Sequence, residues 1–393
     1  MNVLSLFDGM SCGQQALERC GIIVDNYFAS EIDKYAISVT MKNYPNTKQL
    51  GSVINVDGYS LPKIDLLIGG SPCQSFSFAG KRKGMSTKCE TEILTLEHYL
   101  ELKAEGYEFE GQSYLFWEFM RLLNETKPKY FLLENVEMGE KWEKVLSKAI
   151  GVNGIHINSA LVSAQNRRRI YWTNIGMQPS GLFGDLETTI EQPKDKGILL
   201  KDILENEVDE KYFLSDKRIN TIQNSNRKVE NLNFESKKHN CLIAGYGKIP
   251  TDGQYIVHNT MPRSSTTGKG GTGHLSRNDG KTYCLDTGNT NAIEIKKLND
   301  NQQKKFNPNI NSDKSNALTL AQGRAGSSAE YMDAVSKIAN ITSKIRRLTP
   351  IECERLQTVK DGYTANVSDS QRYRMLGNGW TVDVIAHIFN YMK

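Results

Sequence analysis

The 393-residue sequence predicts an α/β protein: a mainly parallel, doubly wound sheet into which a second, irregular and mainly β domain is inserted. Three observations carry that reading. Short apolar runs alternate with helix-periodic segments through residues 1–177, the pattern of parallel strands joined by helices. From 178 to 345 the pattern breaks into polar, Asn-rich and Gly-rich sequence with short strand-like pieces. The stretch from Trp380 to Met392 is amphipathic again and reads as a helix, so residues 346–393 return to the first domain.

Taken in order, Val3–Phe7 reads as a strand, Gln14–Cys20 as a helix, Val24–Ser30 as a strand and Lys34–Asn43 as a helix. Strands follow at Ile64–Ile68 and Tyr130–Glu134, with Leu115–Glu125 a helix between them whose apolar residues recur at helical spacing. Further strands are expected at His156–Val162 and Arg169–Thr173. A charged, helix-like portion at Thr91–Lys103 interrupts the long stretch Phe78–Tyr114.

Composition sets the class. With 38% hydrophobic and 24% charged residues the chain is that of an ordinary globular protein large enough for two domains. No run of about 18 apolar residues occurs, and Met1 leads directly into a strand-like segment, so neither a membrane span nor a signal peptide is expected and the location is read as cytoplasmic. Seven cysteines without a CxxC pair argue against a disulfide framework and against zinc, and the six histidines show no ligand-like spacing, so no metal is expected. The net charge of +4 is unevenly spread. Ser236–Ser328 holds 13 Lys and Arg against 6 Asp and Glu, whereas Asp185–Glu235 holds 8 against 12. The basic segment includes the glycine-rich run from Arg263 to Gly273, which suits close approach to a phosphate backbone; a solvated flexible loop is the alternative.

The chemistry begins at two strand ends. Cys73 follows the run Ile64–Ile68 in Gly69-Gly70-Ser71-Pro72-Cys73-Gln74, and Glu134 ends the run Tyr130–Leu133. Neighbouring strands would deliver a thiol and a carboxyl to one sheet edge, where open α/β folds bind ligands. By itself, Cys73 has a buried packing thiol as its other reading. The first turn, Phe7-Asp8-Gly9-Met10-Ser11-Cys12-Gly13, places glycines where backbone must pass close to a ligand, but lacks the GxGxxG spacing of a nicotinamide enzyme. Glu31, at the end of the second strand, is placed to accept hydrogen bonds from ribose hydroxyls, with a solvated surface glutamate as its other reading in isolation.

Six blocks in this order resemble the DNA (cytosine-5) methyltransferase family: FDGMSCG at Phe7, GGSPCQSFS at Gly69, ENV at Glu134, QNRRR at Gln165, RRLTPIECERLQ at Arg346 and LGNGW at Leu376. The resemblance covers nearly all of 1–177 and 346–393. It implies a Rossmann-like S-adenosylmethionine-dependent methyltransferase sheet with an inserted target recognition domain. It also implies transfer of a methyl group to C5 of a flipped cytosine in a specific duplex DNA sequence. Cys73 would attack C6, Glu134 would hold a proton against N3, and Arg167 and Arg169 would bind the base O2. S-adenosyl-L-methionine would lie over the first turn, touched by Phe7, Asp8, Gly9, Gly13, Glu31, Ile32, Ser52, Pro72, Leu115, Asn378 and Trp380. Trp380 most resembles the animal de novo branch, with an anchor for the last helix as its other reading; for Leu115 a core leucine is the other reading.

Two departures stand out. Gly51-Ser52-Val53 replaces the family's frequent Gly-Asp before the third strand, and the segment after Cys73 is long. Candidate DNA contacts are Gln74, Ser75, Lys81, Arg82 and Lys83 near the cysteine, and Arg263, Lys269, Arg277 and Arg324 in the basic insert, where an arginine can read a guanine. Three similar pieces beginning at Asn240, Tyr283 and Asn316 suggest repeated strand and loop units. The expected partner is double-stranded DNA, with a cognate restriction endonuclease in a bacterial or phage-infected cell. The alternatives are the same chemistry on tRNA, against which the long basic insert argues, and a catalytically idle DNA-binding or regulatory module, against which the full set Cys73, Glu134, Arg167 and Arg169 argues. A DPPY-like tetrad for amino-group methylation is missing.

Overall fold

The computed structural model describes residues 1–72, 85–89, 91–180, 185–213, 239–240, 253–255, 290–295 and 344–392. Its centre is a seven-stranded sheet. The strands are β1 (Asn2–Leu6), β2 (Asn26–Ser30), β3 (Lys48–Gln49), β4 (Leu66–Gly70), β5 (Tyr130–Val136), β6 (Ile155–Asn158) and β8 (Arg168–Thr173), with β7 (Gln165–Asn166) a short strand outside it. The order is β3-β2-β1-β4-β5-β8-β6. The first five are parallel, and β8 runs antiparallel to both its neighbours, β5 and β6.

Both faces of this sheet are buried, which is why its strands read as continuous apolar runs. Val3, Leu66, Ile68 and Leu132 face one apolar cluster with α1 (Cys12–Arg19) and the C-terminal helices. Leu4, Leu6, Leu67 and Leu133 face the other, with α4 (Phe116–Thr126) and α5 (Glu140–Ile150). The helix α2 (Lys34–Asn43) begins at Asp33, whose carboxylate caps the N–H groups of Tyr35 and Ala36. Another helix, α3 (Leu96–Ala104), is fastened to α4 by Glu118, a fully buried carboxylate that accepts from Tyr99 Oη at 2.5 Å, Lys103 Nζ at 2.5 Å and Arg121 Nε at 2.8 Å.

The sequence expectation of a mainly parallel, doubly wound sheet therefore stands, with small shifts of boundary. One expected strand is shorter: His156–Val162 is strand only to Asn158, because the Asn158 side chain accepts from the N–H groups of Ala160 (3.1 Å) and Arg167 (3.1 Å) and turns the chain into a single 3-10 turn, Ser159–Leu161. The described pieces after Gly176 are a hairpin of β9 (Met177–Ser180) and β10 (Asp185–Thr188), the short helix α6 (Leu200–Ile203), and short strands β11 (His239–Asn240), β12 (Gly253–Tyr255) and β13 (Thr290–Ile295). The strand β14 (Lys344–Arg347) pairs with β13 and leads into α7 (Pro350–Leu356), α8 (Asp369–Asn378) and α9 (Val382–Phe389). The expected helix from Trp380 to Met392 is thus confined to Val382–Phe389. No described helix is long and apolar enough to cross a membrane.

Candidate active site

Strand register assembles the site. Gly70 of β4 lies opposite Glu134 of β5 in parallel register, and the Asn135 amide donates to the Ser71 hydroxyl (3.1 Å) and carbonyl (3.3 Å), joining the two strand ends. Because β8 is antiparallel, it starts where the parallel strands end. Val136 opposes Arg169 and Glu134 opposes Tyr171, so Arg169 and Glu134 are diagonal neighbours within reach of a long side chain. Arg169 Nε lies 2.9 Å from Glu134 Oε1. On the other oxygen, Trp380 Nε1 donates to Glu134 Oε2 at 3.1 Å. Glu134, Arg169 and Arg167 are all buried. Burial, with the Glu134 charge beside it, holds the Tyr171 phenol well above the ordinary tyrosine range, so it stays a neutral wall of the site.

Arg167 ties in a further turn. Its guanidinium donates to the carbonyls of Gly377 (3.2 Å) and Gly379 (2.9 Å), in the turn that carries Trp380. Gln357 supports the same turn through the carbonyls of Leu376 (2.6 Å) and Gly379 (3.3 Å), while its own oxygen accepts from Gln165 Nε2 (2.8 Å) and Thr381 Oγ1 (3.0 Å). Sequence reasoning assigns Gln165 and Gln357 no role. The signal for them is their presence inside the QNRRR and RRLTPIECERLQ blocks, where an uncharged amide between charged residues is suited to pairing with backbone.

The turn after β1 is strained and open. Phe7, Gly9 and Ser11 all adopt left-handed backbone, with φ of +57°, +58° and +57°, and two of them are not glycine, which is costly unless the surroundings enforce it. The enforcing contacts are Asp8, which accepts from the Ser11 hydroxyl and from Tyr27 Oη (2.8 Å), and Met10, whose carbonyl accepts from Tyr363 Oη at 2.7 Å. Burial pushes the Asp8 carboxyl up to about 6. Glu31 accepts from the N–H groups of Gly9 (2.7 Å), Ile32 (2.7 Å) and Asp33 (2.8 Å), which leaves about one of a carboxylate's four acceptor positions for a ligand. Beside it Ile32 is 72% exposed. A Cβ at Gly9 or Gly51 would meet nothing within 4 Å, so open space lies over this turn and over the approach to Ser52. Open backbone, a carboxylate and exposed apolar surface are the donor set and shape that S-adenosylmethionine requires.

The remaining expected cofactor residues are scattered around that space to different degrees. Gly13 is fixed by packing, since a Cβ there would come within 2.4 Å of Ile68 Cδ1. Ser52 begins a short 3-10 turn without a side-chain cap bond, Pro72 is half-buried at the end of the described β4 segment, and Asn378 is exposed at the end of α8. Leu115 ends the 3-10 turn Ser113–Leu115 before α4, half-buried against the apolar cluster there. Cys73, Gln74, Ser75, Lys81, Arg82 and Lys83, and likewise Arg263, Lys269, Arg277 and Arg324, lie outside the described residues. Of the described cysteines, Cys12 is pushed up to about 12 by burial, and Cys20 and Cys353 are raised by the same cause, so these three are packing thiols.

The chain matches the profile of C-5 cytosine-specific DNA methylases over residues 1–393. It is 29% identical to the orphan methyltransferase M.SPRI of Bacillus phage SPR, over 99% of this chain and 96% of that one. To the type II methyltransferase M.BanI of Aneurinibacillus aneurinilyticus it is 25% identical, over 95% and 90% of the two chains. Among solved structures, a mutant of Spodoptera frugiperda DNMT2 superposes with a TM-score of 0.56 at 20% identity, covering 99% of this chain and 98% of that one. The Entamoeba histolytica methyltransferase EhMeth superposes with a TM-score of 0.58 at 16% identity, covering 100% and 97%. At these identities the structural likeness speaks for the fold.

Proposed function

The chain belongs to the C-5 cytosine-specific DNA methylase family, and on that premise we propose how its residues divide the work. It is a DNA cytosine methyltransferase that uses S-adenosylmethionine. The observation that carries the residue assignment is the contact between Arg169 and Glu134 at 2.9 Å, on a strand end paired in register with Gly70, three residues before Cys73.

The Cys73 thiolate bonds to C6 of a flipped cytosine, which makes C5 nucleophilic. The cofactor supplies an electrophilic methyl group on a sulfonium. Glu134 holds a proton against N3 and neutralises the charge that attack drives into the ring. Arg169, anchored on Glu134, faces the base O2. Loss of the C5 proton to a base then expels Cys73 and restores the aromatic ring. Arg167, which also donates to the carbonyls of Gly377 and Gly379, takes the base O2 beside Arg169. Phe7, Gly9, Glu31, Ile32, Ser52, Leu115 and Trp380 line the cofactor space, and Asp8 stiffens its floor.

The division of labour along the chain is 1–177 and 346–393 for catalysis and cofactor, and 178–345 for target recognition. The basic segment Ser236–Ser328 supplies the phosphate contacts and base reading, through Arg263, Lys269, Arg277 and Arg324. A cognate restriction endonuclease, where one accompanies the enzyme, would cut the same sequence.

The test is expression in cells lacking cytosine methylation, followed by bisulfite sequencing beside a Cys73→Ala control. One short motif protected only by the intact protein is the expected result. Full conversion everywhere, with the protein folded, overturns the reading and turns attention to RNA.

A further inference from the structure

We propose that Trp380 is a positioning residue for Glu134, its indole N–H holding the carboxyl in working orientation; this deepens the methyl-transfer reading above and rests on it. Four observations converge. Trp380 Nε1 donates to Glu134 Oε2 at 3.1 Å while Arg169 Nε lies 2.9 Å from Oε1, so the carboxyl is gripped by both oxygens, from two different elements. The contact fits because residue 70 is glycine: a Cβ there would stand 2.8 Å from Trp380 Nε1 and 3.1 Å from Glu134 Oε2. The turn that presents the indole is itself fixed, through the Arg167 and Gln357 bonds to the carbonyls of Leu376, Gly377 and Gly379. Finally, Gly379 packs closely on the turn after β1, where a Cβ would lie 2.8 Å from Met10 Cε and 3.4 Å from Cys12 Sγ. Trp380 thus spans the wall between the cofactor turn and the reacting carboxyl.

A carboxyl held by one oxygen can swing about its terminal torsion, which is broad for glutamate. A second donor fixes its plane, and geometry of this kind is what makes a proton transfer efficient. Indole suits the task because it offers one donor, no acceptor and no charge, so it neither takes the proton Glu134 must give nor competes with Arg169.

The discriminating variant is Trp380→Phe, which keeps an apolar ring in the cofactor wall and deletes the N–H. Purified full-length chain is assayed for S-adenosylhomocysteine affinity by calorimetry, for kcat and KM on unmethylated DNA, and for the single-turnover rate of methyl transfer at saturating cofactor. The expected result is a kcat reduced about tenfold to a hundredfold. S-adenosylhomocysteine affinity and the KM for DNA change less than about threefold, so the loss falls on kcat. Gly70→Ala, which pushes the indole and the carboxyl apart without altering either, should reproduce the loss, and decides the matter if Trp380→Phe fails to fold. Weakened S-adenosylhomocysteine binding with an unchanged single-turnover rate at saturating cofactor would make Trp380 a cofactor contact only and overturn the proposal, as would unchanged kcat in both variants. A wild-type chain that methylates no DNA overturns the functional reading itself, and this assignment with it.

Discussion

Residue by residue, the two arginines of the QNRRR block make different contacts that their spacing alone does not reveal. Residues 167 and 169 are two apart, but Arg167 precedes β8 and reaches the Gly377 and Gly379 carbonyls, while Arg169 lies within the strand and reaches Glu134. Arg169→Ala should therefore lower kcat by about 10²-fold or more, as loss of a preorganised charge at a reacting centre does, with S-adenosylhomocysteine affinity kept. Arg167→Ala should instead lower the melting temperature and weaken S-adenosylhomocysteine binding, because buried carbonyls lose charged donors, at about 1–3 kcal/mol. Calorimetry beside steady-state kinetics separates the two. Asp8 makes a different kind of prediction. Its carboxyl is raised to about 6 by burial, so the folded state binds more protons than the unfolded chain between about pH 4 and pH 6. Stability from this residue is fullest below about pH 4 and is lost as pH rises through about 6, by roughly 3 kcal/mol for a shift of about two units. Chemical denaturation of wild type and Asp8→Asn across about pH 4–7 should show the wild type losing ground to the variant over that window; parallel curves would refute the buried carboxyl.

At the scale of elements, what the sequence makes legible depends on whether a segment is held by apolar periodicity or by polar contacts. Val3–Leu6, Leu66–Ile68 and Tyr130–Leu133 are readable because a sheet covered on both faces demands unbroken apolar runs. The helix α5 carries Trp142, Val145, Leu146 and Ala149 at helical spacing, a signal that sequence reasoning leaves unused. The helix α8 is another case, since its sequence is polar and it is fixed by tertiary bonds: Arg372 Nη2 to Glu354 at 3.0 Å and Tyr373 Oη to the Leu348 carbonyl at 2.7 Å. The RRLTPIECERLQ block is legible as a motif and opaque as a structure for the same reason. Within it Arg346 and Glu352, both 0% exposed, pair through two bonds of 2.7 Å, and Glu352 also accepts from the Thr349 N–H in a capping box that starts α7. Glu352→Ala should destabilise the chain by about 3–5 kcal/mol, since it strands a buried guanidinium. A joint Arg346→Met, Glu352→Leu replacement should recover most of that loss, and urea denaturation of the three proteins checks both statements.

For the whole molecule, the proposed division between chemistry and choice of target falls on separate stretches of chain, and charge marks the boundary. The carboxyl, arginine and turn to which that proposal assigns the reaction and the cofactor all come from residues 1–177 and 346–393, a scaffold whose residue types are dictated by burial and backbone geometry. The insert has no such dictation in its sequence. It is polar and glycine-rich, and its 13 Lys and Arg against 6 Asp and Glu in Ser236–Ser328 state affinity for a polyanion without stating which bases are read. That asymmetry explains why the sequence offers Cys73 and Glu134 as candidates and offers none for the recognised site. It also predicts how the two parts fail. Reversing charge at Lys269 or Arg277 should weaken DNA binding on every sequence alike and flatten the salt dependence, by about 0.9 in the slope of log K against log salt for each phosphate that is no longer neutralised. The single-turnover rate at saturating DNA should hold, since no reacting group has changed. Replacing Arg263 or Arg324 by alanine, if either reads a guanine, should cost about 1–3 kcal/mol on the cognate site only and relax the protected motif in bisulfite maps at one position. Titrations of cognate and scrambled duplexes over a range of salt concentrations distinguish these outcomes. A charge reversal that slows the saturated single turnover would show that the insert reaches into the chemistry, and the boundary between catalysis and recognition along the chain would have to be redrawn.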